Sequence, residues 1–147
     1  MLEPKALKHK ALSWLTRRDY SELELRRRLQ QLGGLEQDIE QVIAWCKNYD
    51  YLNQQRFISM LVRSRSNKGY GYNYIAQECK QHNITVDELK RCLAELNIDW
   101  FTLAMQVYSK KYANSPVTDY KEKMKRMAYM QRRGFSIEQI NSIFTEK

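Results

Sequence analysis

The chain has 147 residues, 43% of them hydrophobic, and carries 25 Lys and Arg against 17 Asp and Glu for a formal net charge of +8. That balance points to an anionic partner: nucleic acid, a nucleoprotein or an acidic protein surface. No run of roughly 18 apolar residues could span a bilayer, and the opening MLEPKALKHK lacks the apolar stretch of a secretory leader, so no membrane partner and a cytoplasmic location are expected.

Only five Gly and two Pro interrupt the chain, and apolar residues recur at three- and four-residue spacing almost throughout, which predicts an all-α protein. In chain order, helices are expected from about Lys5 to Arg18, Glu22 to Leu32 and Glu36 to Asn48. They are expected next from about Gln54 to Ser66, Tyr72 to His82 and Val86 to Leu96, then from Trp100 to Ala113, Asp119 to Arg133 and Ile137 to Thr145. Ser21 with Glu24, Thr85 with Glu88 and Ser136 with Gln139 have the spacing of capping boxes, and Tyr20/Leu25, Ile84/Leu89 and Phe135/Ile140 that of hydrophobic staples. Gly34 and Leu35 replace cap and staple before the third helix, which should begin less sharply.

An apolar triplet recurs at fixed helical offsets: Ile39, Val42, Ile43; Leu89, Cys92, Leu93; Ile140, Ile143, Phe144. Its starts lie 50 and 51 residues apart. Six residues ahead stand Gly33, Asn83 and Gly134, types that tolerate the left-handed close of a helix, and ten ahead stand Leu29, Cys79 and Met130. One unit is therefore written three times, over 5–52, 53–98 and 99–147, and the expected architecture is an elongated, curved array of three tandem three-helix repeats, present as a monomer. Each repeat is near the lower size limit for burying a core alone, so neighbours should support one another.

The charge is unevenly distributed. Residues 5–33 carry eight Lys or Arg against three acids, residues 53–82 five against one, and residues 119–134 six against two, whereas residues 35–52 carry one base and four acids. Stacked in register, the first two helices of each unit would present a basic face of Arg17, Arg18, Arg26, Arg27, Arg28, Arg63, Arg65, Lys68, Lys121, Lys125, Arg126, Arg132 and Arg133. These cations read either as a polyanion-binding face or as solvated helix surface with favourable charges near helix C-termini. The acidic third helices argue against a helix-turn-helix entering a DNA groove, so any nucleic-acid contact should be to phosphates. Tyr70, Tyr72 and Tyr74 among Gly69 and Gly71 either stack on unpaired bases or anchor a helix start, the second being favoured. Trp14, Trp45 and Trp100 fall on expected core faces.

Gly69 and Gly71 belong to no phosphate-binding loop, His9 and His82 lack partners at ligand spacing, and no carboxylate pair is placed for acid/base work. No cofactor, no metal and no enzymatic activity are expected. Cys46, Cys79 and Cys92 have no CxxC spacing and cannot all pair, so they read as buried thiols of a reducing compartment.

The stretches ALSWLTRRDYSELELRRRL (Ala11 to Leu29), YLNQQRF (Tyr51 to Phe57) and RRGFSIEQI (Arg132 to Ile140) resemble, in order, three signatures of the RecX regulatory proteins. The resemblance implies a small bacterial cytoplasmic protein of tandem three-helix units that binds RecA filaments on single-stranded DNA and modulates the recombinase, most often by inhibition. A sequence-independent nucleic-acid-binding protein using the same basic face is the alternative.

Overall fold

The computed structural model describes residues 2–145, and every regular element among them is a helix. The order is α1 (Pro4–Leu15), α2 (Glu22–Gln31), α3 (Glu36–Asn48), α4 (Gln54–Asn67), α5 (Tyr72–Gln81), α6 (Val86–Leu96), α7 (Trp100–Tyr112), α8 (Tyr120–Arg132) and α9 (Ile137–Thr145). Pro4 opens α1, where its missing N–H would have been unpaired anyway. That helix ends three residues before the expected Arg18. The Thr16 hydroxyl turns back to the Ser13 carbonyl at 2.8 Å, a local bond that competes with helix continuation. Arg17 and Arg18 consequently lie in the loop leading to α2.

The start and stop chemistry is nearly what the residue pattern predicts. Thr85 and Glu88 form a reciprocal capping box, and Ser136 and Gln139 exchange hydrogen bonds of 2.9 and 3.2 Å. The box expected at Ser21 is half made: Ser21 Oγ accepts from the Glu24 N–H at 3.1 Å, while the Glu24 carboxylate is taken by Arg18. Leu35 gives α3 no side-chain cap, as expected. Gly33, Asn83 and Gly134 occupy the left-handed region at φ 83°, 58° and 99°. Asp50 and Asn97, at φ 60° and 50°, make the same turn in the connections into α4 and α7, a second repeat the sequence reading did not single out.

Three separate apolar clusters form the cores. Leu7, Ala11, Leu25, Leu29, Ile39, Val42, Ile43 and Cys46 hold α1–α3 together; Phe57, Ile58, Leu61, Val62, Ile75, Cys79, Leu89 and Cys92 hold α4–α6. The third core, over α7–α9, is smaller: Ala104, Met130, Phe135, Ile140 and Ile143. Trp14 and Trp45 pack partly buried on the first cluster and Trp100 on the second. The chief helix pairs all fall inside these triplets. The accessible surface is 9536 Å², whereas a compact protein of 17.7 kDa would expose about 7,900 Å². The surplus is what an open row of small cores requires.

Successive triplets meet through equivalent residues. Ser21 and Gly71 are the N-caps of α2 and α5, and His82 and Arg133 are the C-caps of α5 and α8. At the first joint Ser21 Oγ lies 2.7 Å from His82 Nδ1, the Glu22 N–H donates to Gln54 Oε1 at 3.1 Å, and Arg56 Nε donates to Asp19 Oδ1 at 2.7 Å. At the second joint the backbone takes over. The Gly71 N–H donates to the Arg133 carbonyl at 2.7 Å and the Asn73 N–H to the Gly134 carbonyl at 2.9 Å, while Arg133 Nε donates to the Gly69 carbonyl at 3.2 Å and Nη2 to that of Lys68. The approach needs a glycine: a Cβ on Gly71 would stand 2.6 Å from the Gly134 carbonyl oxygen.

Candidate nucleic-acid interface

Helix α2 carries three consecutive arginines, and the fold gives each a different task. Arg26 is drawn down between α2 and the acidic α3, within ion-pair reach of Glu22, Glu36 and Glu40; those carboxylates hold its guanidinium above the usual arginine value. Arg28 donates to the Tyr20 hydroxyl and lies over the rings of Trp14 and Tyr20. Arg27 points to solvent and has no carboxylate partner among the described residues. The charge opposition between the second and third helices of this unit is thus partly an internal contact, not two independent surfaces.

The same sorting applies along the chain. Arg18 is paired with Glu24 by two hydrogen bonds of 2.7 and 3.1 Å, and Arg65 with Glu78 by two of 2.7 Å. Arg126, expected on the basic face, is not on it. Only 3% exposed, it donates to Glu122, the Tyr108 hydroxyl, the Ser115 carbonyl and hydroxyl, and the Pro116 carbonyl, tying the α7–α8 loop to the third core. The sequence contained the signal: Arg126 precedes the buried Met130 by one turn and so shares its inward face. Of the cations expected on the face, Arg17, Arg27, Arg28, Arg63, Lys68, Lys121, Lys125 and Arg132 are exposed without a carboxylate partner among the described residues, Arg28 being held instead by Tyr20 and Trp14.

Cations from three segments converge at the second joint. A groove of about 470 Å³ there is lined by Lys68, Lys110, Lys111 and Arg133 with Ser66, Asn67, Gln106 and Tyr129, and no carboxylate is among the described residues that line it. Lys110 and Lys111 were missed by the sequence reading, because they occupy the last turn of α7, a first helix outside the 119–134 stretch whose basic excess drew attention to Arg132 and Arg133. Arg133 also covers the Tyr70 ring, its guanidinium carbon 4.0 Å from the centroid, and Tyr74 stacks on Tyr70 at 3.9 Å. Tyr70 is therefore closed to a base on both faces. Tyr72 packs edge-on against Trp100, the anchoring role favoured from sequence, and Tyr74 keeps 38% of its surface exposed.

The comparisons with known proteins agree with this layout. Models of the first, second and third three-helix domains of RecX match residues 8–46, 53–92 and 97–144. The regulatory protein RecX of Escherichia coli strain SE11 is 35% identical, with 92% of this chain and 87% of that protein covered. The chain belongs to the RecX family. The Shigella boydii serotype 18 RecX regulatory protein is equally similar, at 35% identity over the same shares. Among solved structures, RecX from Lactobacillus salivarius superposes with a TM-score of 0.82 at 21% identity, covering 96% of this chain and 94% of that one. A second structure of regulatory protein RecX gives 0.77 at 19% identity, over 97% and 74%. The RecX fold is thus shared far more widely than its side chains.

Among the described residues of this RecX chain, no group of His, Cys, Asp and Glu is placed to hold a metal ion, and no helix is long and apolar enough to cross a membrane. Cys46, Cys79 and Cys92 are free and buried. Burial pushes the Cys46 thiol up to about 11, against a small opposing pull from Lys8, and the Cys79 thiol likewise to about 11; both are held as un-ionised core residues.

Proposed function

We propose that this chain acts by binding and not by catalysis: it lies along RecA filaments on single-stranded DNA and inhibits strand exchange, ATP turnover and coprotease activity. RecX family membership supplies the direction of this reading, and the observation that carries it is the groove of Lys68, Lys110, Lys111 and Arg133, which has no carboxylate among its described lining residues. A filament offers phosphates and acidic protein surface along one helical path. Three repeats, taken as 5–52, 53–98 and 99–147, each about 25 Å across, can bridge successive protomers as a monomer in the cytoplasm. Many weak contacts then add through effective concentration. Arg17, Arg27, Arg63, Lys121, Lys125 and Arg132, all exposed, are the further cations this reading assigns to phosphate contact.

Titration against RecA-coated and bare single-stranded DNA at about 0.15 M salt tests the reading. Tighter binding to the coated strand is expected. Equal affinity for both would replace the filament regulator by a nucleic-acid-binding protein without sequence preference.

A further inference from the structure

We propose that the groove at the second joint is a phosphate site, and that filling it with the phosphodiester chain of a single-stranded nucleic acid tightens the joint itself. The proposal rests on the reading above and adds where the strand is gripped and what gripping does to the protein.

The site is composite. Lys68 comes from the connection between α4 and α5, whereas Lys110 and Lys111 come from α7 and Arg133 from the end of α8. Docking the second and third triplets is therefore what gathers these four cations, and among the described residues no carboxylate lining the groove offsets them. Like charges brought together oppose the contact that brings them together. An anion in the groove turns that repulsion into attraction, and a ligand that binds only the docked arrangement stabilises docking by mass action.

The local chemistry favours a nucleic acid over an acidic peptide. Arg133 is oriented by the carbonyls of Gly69 and Lys68 and by the Tyr70 ring, and the stack continues through Tyr70 to Tyr74, whose exposed ring is a platform for an unpaired base. Phosphate in the groove and a base on Tyr74 are two contacts that one strand makes and a carboxylate-bearing peptide does not.

Hydrogen exchange of the full chain reads the joint directly, because the amides of Gly71 and Asn73 donate across it. With an oligothymidylate of about 15 residues at low ionic strength and about 100 times its Kd, exchange of these two amides is expected to slow by about 10- to 100-fold. Polyglutamate at equal charge should leave them within a factor of about two. The variant Lys110→Gln/Lys111→Gln should slow their exchange without any ligand, since repulsion is relieved, and should lose the further slowing by the oligonucleotide. Binding followed in parallel by fluorescence anisotropy separates the failures. Oligonucleotide binding that leaves Gly71 and Asn73 unchanged, or equal slowing by polyglutamate, overturns the inference and spares the filament reading. Failure to bind both the oligonucleotide and RecA-coated DNA overturns the two together.

Discussion

Arg126 and Lys125 are neighbours of one charge type, and their fates show what a residue-level reading needs. Lys125 faces solvent, while Arg126 binds the backbone and side chains of the Ser115–Pro116 loop. Period alone separates them, because position 126 lies one turn before Met130. Replacing Arg126 with Met keeps an apolar stem and removes five donated hydrogen bonds, so limited proteolysis should cut the 113–119 loop several-fold faster. An unchanged cutting rate would mean that the loop is held by something other than this guanidinium. Cys46 and Cys79 make a second residue-scale prediction: with thiols pushed to about 11 by burial, neither should react with iodoacetamide at about pH 8 until the protein unfolds. The half-made box at Ser21 supplies a third. Burial would raise Glu24, but the Arg18 hydrogen bonds outweigh it and hold the carboxyl below its ordinary 4.5. A depressed carboxyl adds stability that is present above that ordinary value and lost as pH falls through the lower folded one. In acid melts, Glu24→Gln should therefore lose less stability over that range than the parent chain.

At the scale of elements, most of the fold was legible because helix ends and core faces are written in short-range spacing. Thr85/Glu88, Ser136/Gln139 and the left-handed Gly33, Asn83 and Gly134 stand where their residue types place them. The early end of α1 was not legible, since Thr16 decides it by one local hydrogen bond. Nor were the joints: which N-cap meets which C-cap is a long-range pairing, and Ser21 with His82 has no side chain in common with Gly71 and Arg133. The candidate site suffered for the same reason. Arg26, Arg65 and Arg18 were indistinguishable from free cations until the positions of Glu40, Glu78 and Glu24 were known. Gly71 tests the second joint. Its backbone, at φ −90°, suits any residue, so the cost of Gly71→Ala is steric, from contacts of 2.6 Å with the Gly134 carbonyl oxygen and 2.8 Å with the Phe135 ring. Overpacking of this kind costs roughly 1–3 kcal/mol, and it should fall on the joint. Faster exchange at Asn73 with unchanged protection in the α1–α3 core is expected; loss of helix content throughout would show the triplets to be less independent than their separate cores indicate.

For the whole molecule, the feature that matters is that its cores are three and its chief cationic groove lies between two of them. An open row exposes more surface than one globule of equal mass, and the surplus over about 7,900 Å² in the observed 9536 Å² is surface available to a long partner. Salt dependence follows from the same geometry. Each phosphate neutralised on a single strand steepens the dependence of log affinity on log salt by about 0.7, so Lys110→Gln/Lys111→Gln should flatten the slope by about 1.4. The most direct measurement is a density map of the chain bound to a RecA filament on single-stranded DNA. One chain is expected to lie along successive protomers with Lys68, Lys110, Lys111 and Arg133 turned toward the strand. Density confined to a filament end, or a second joint turned to solvent, would contradict this placement.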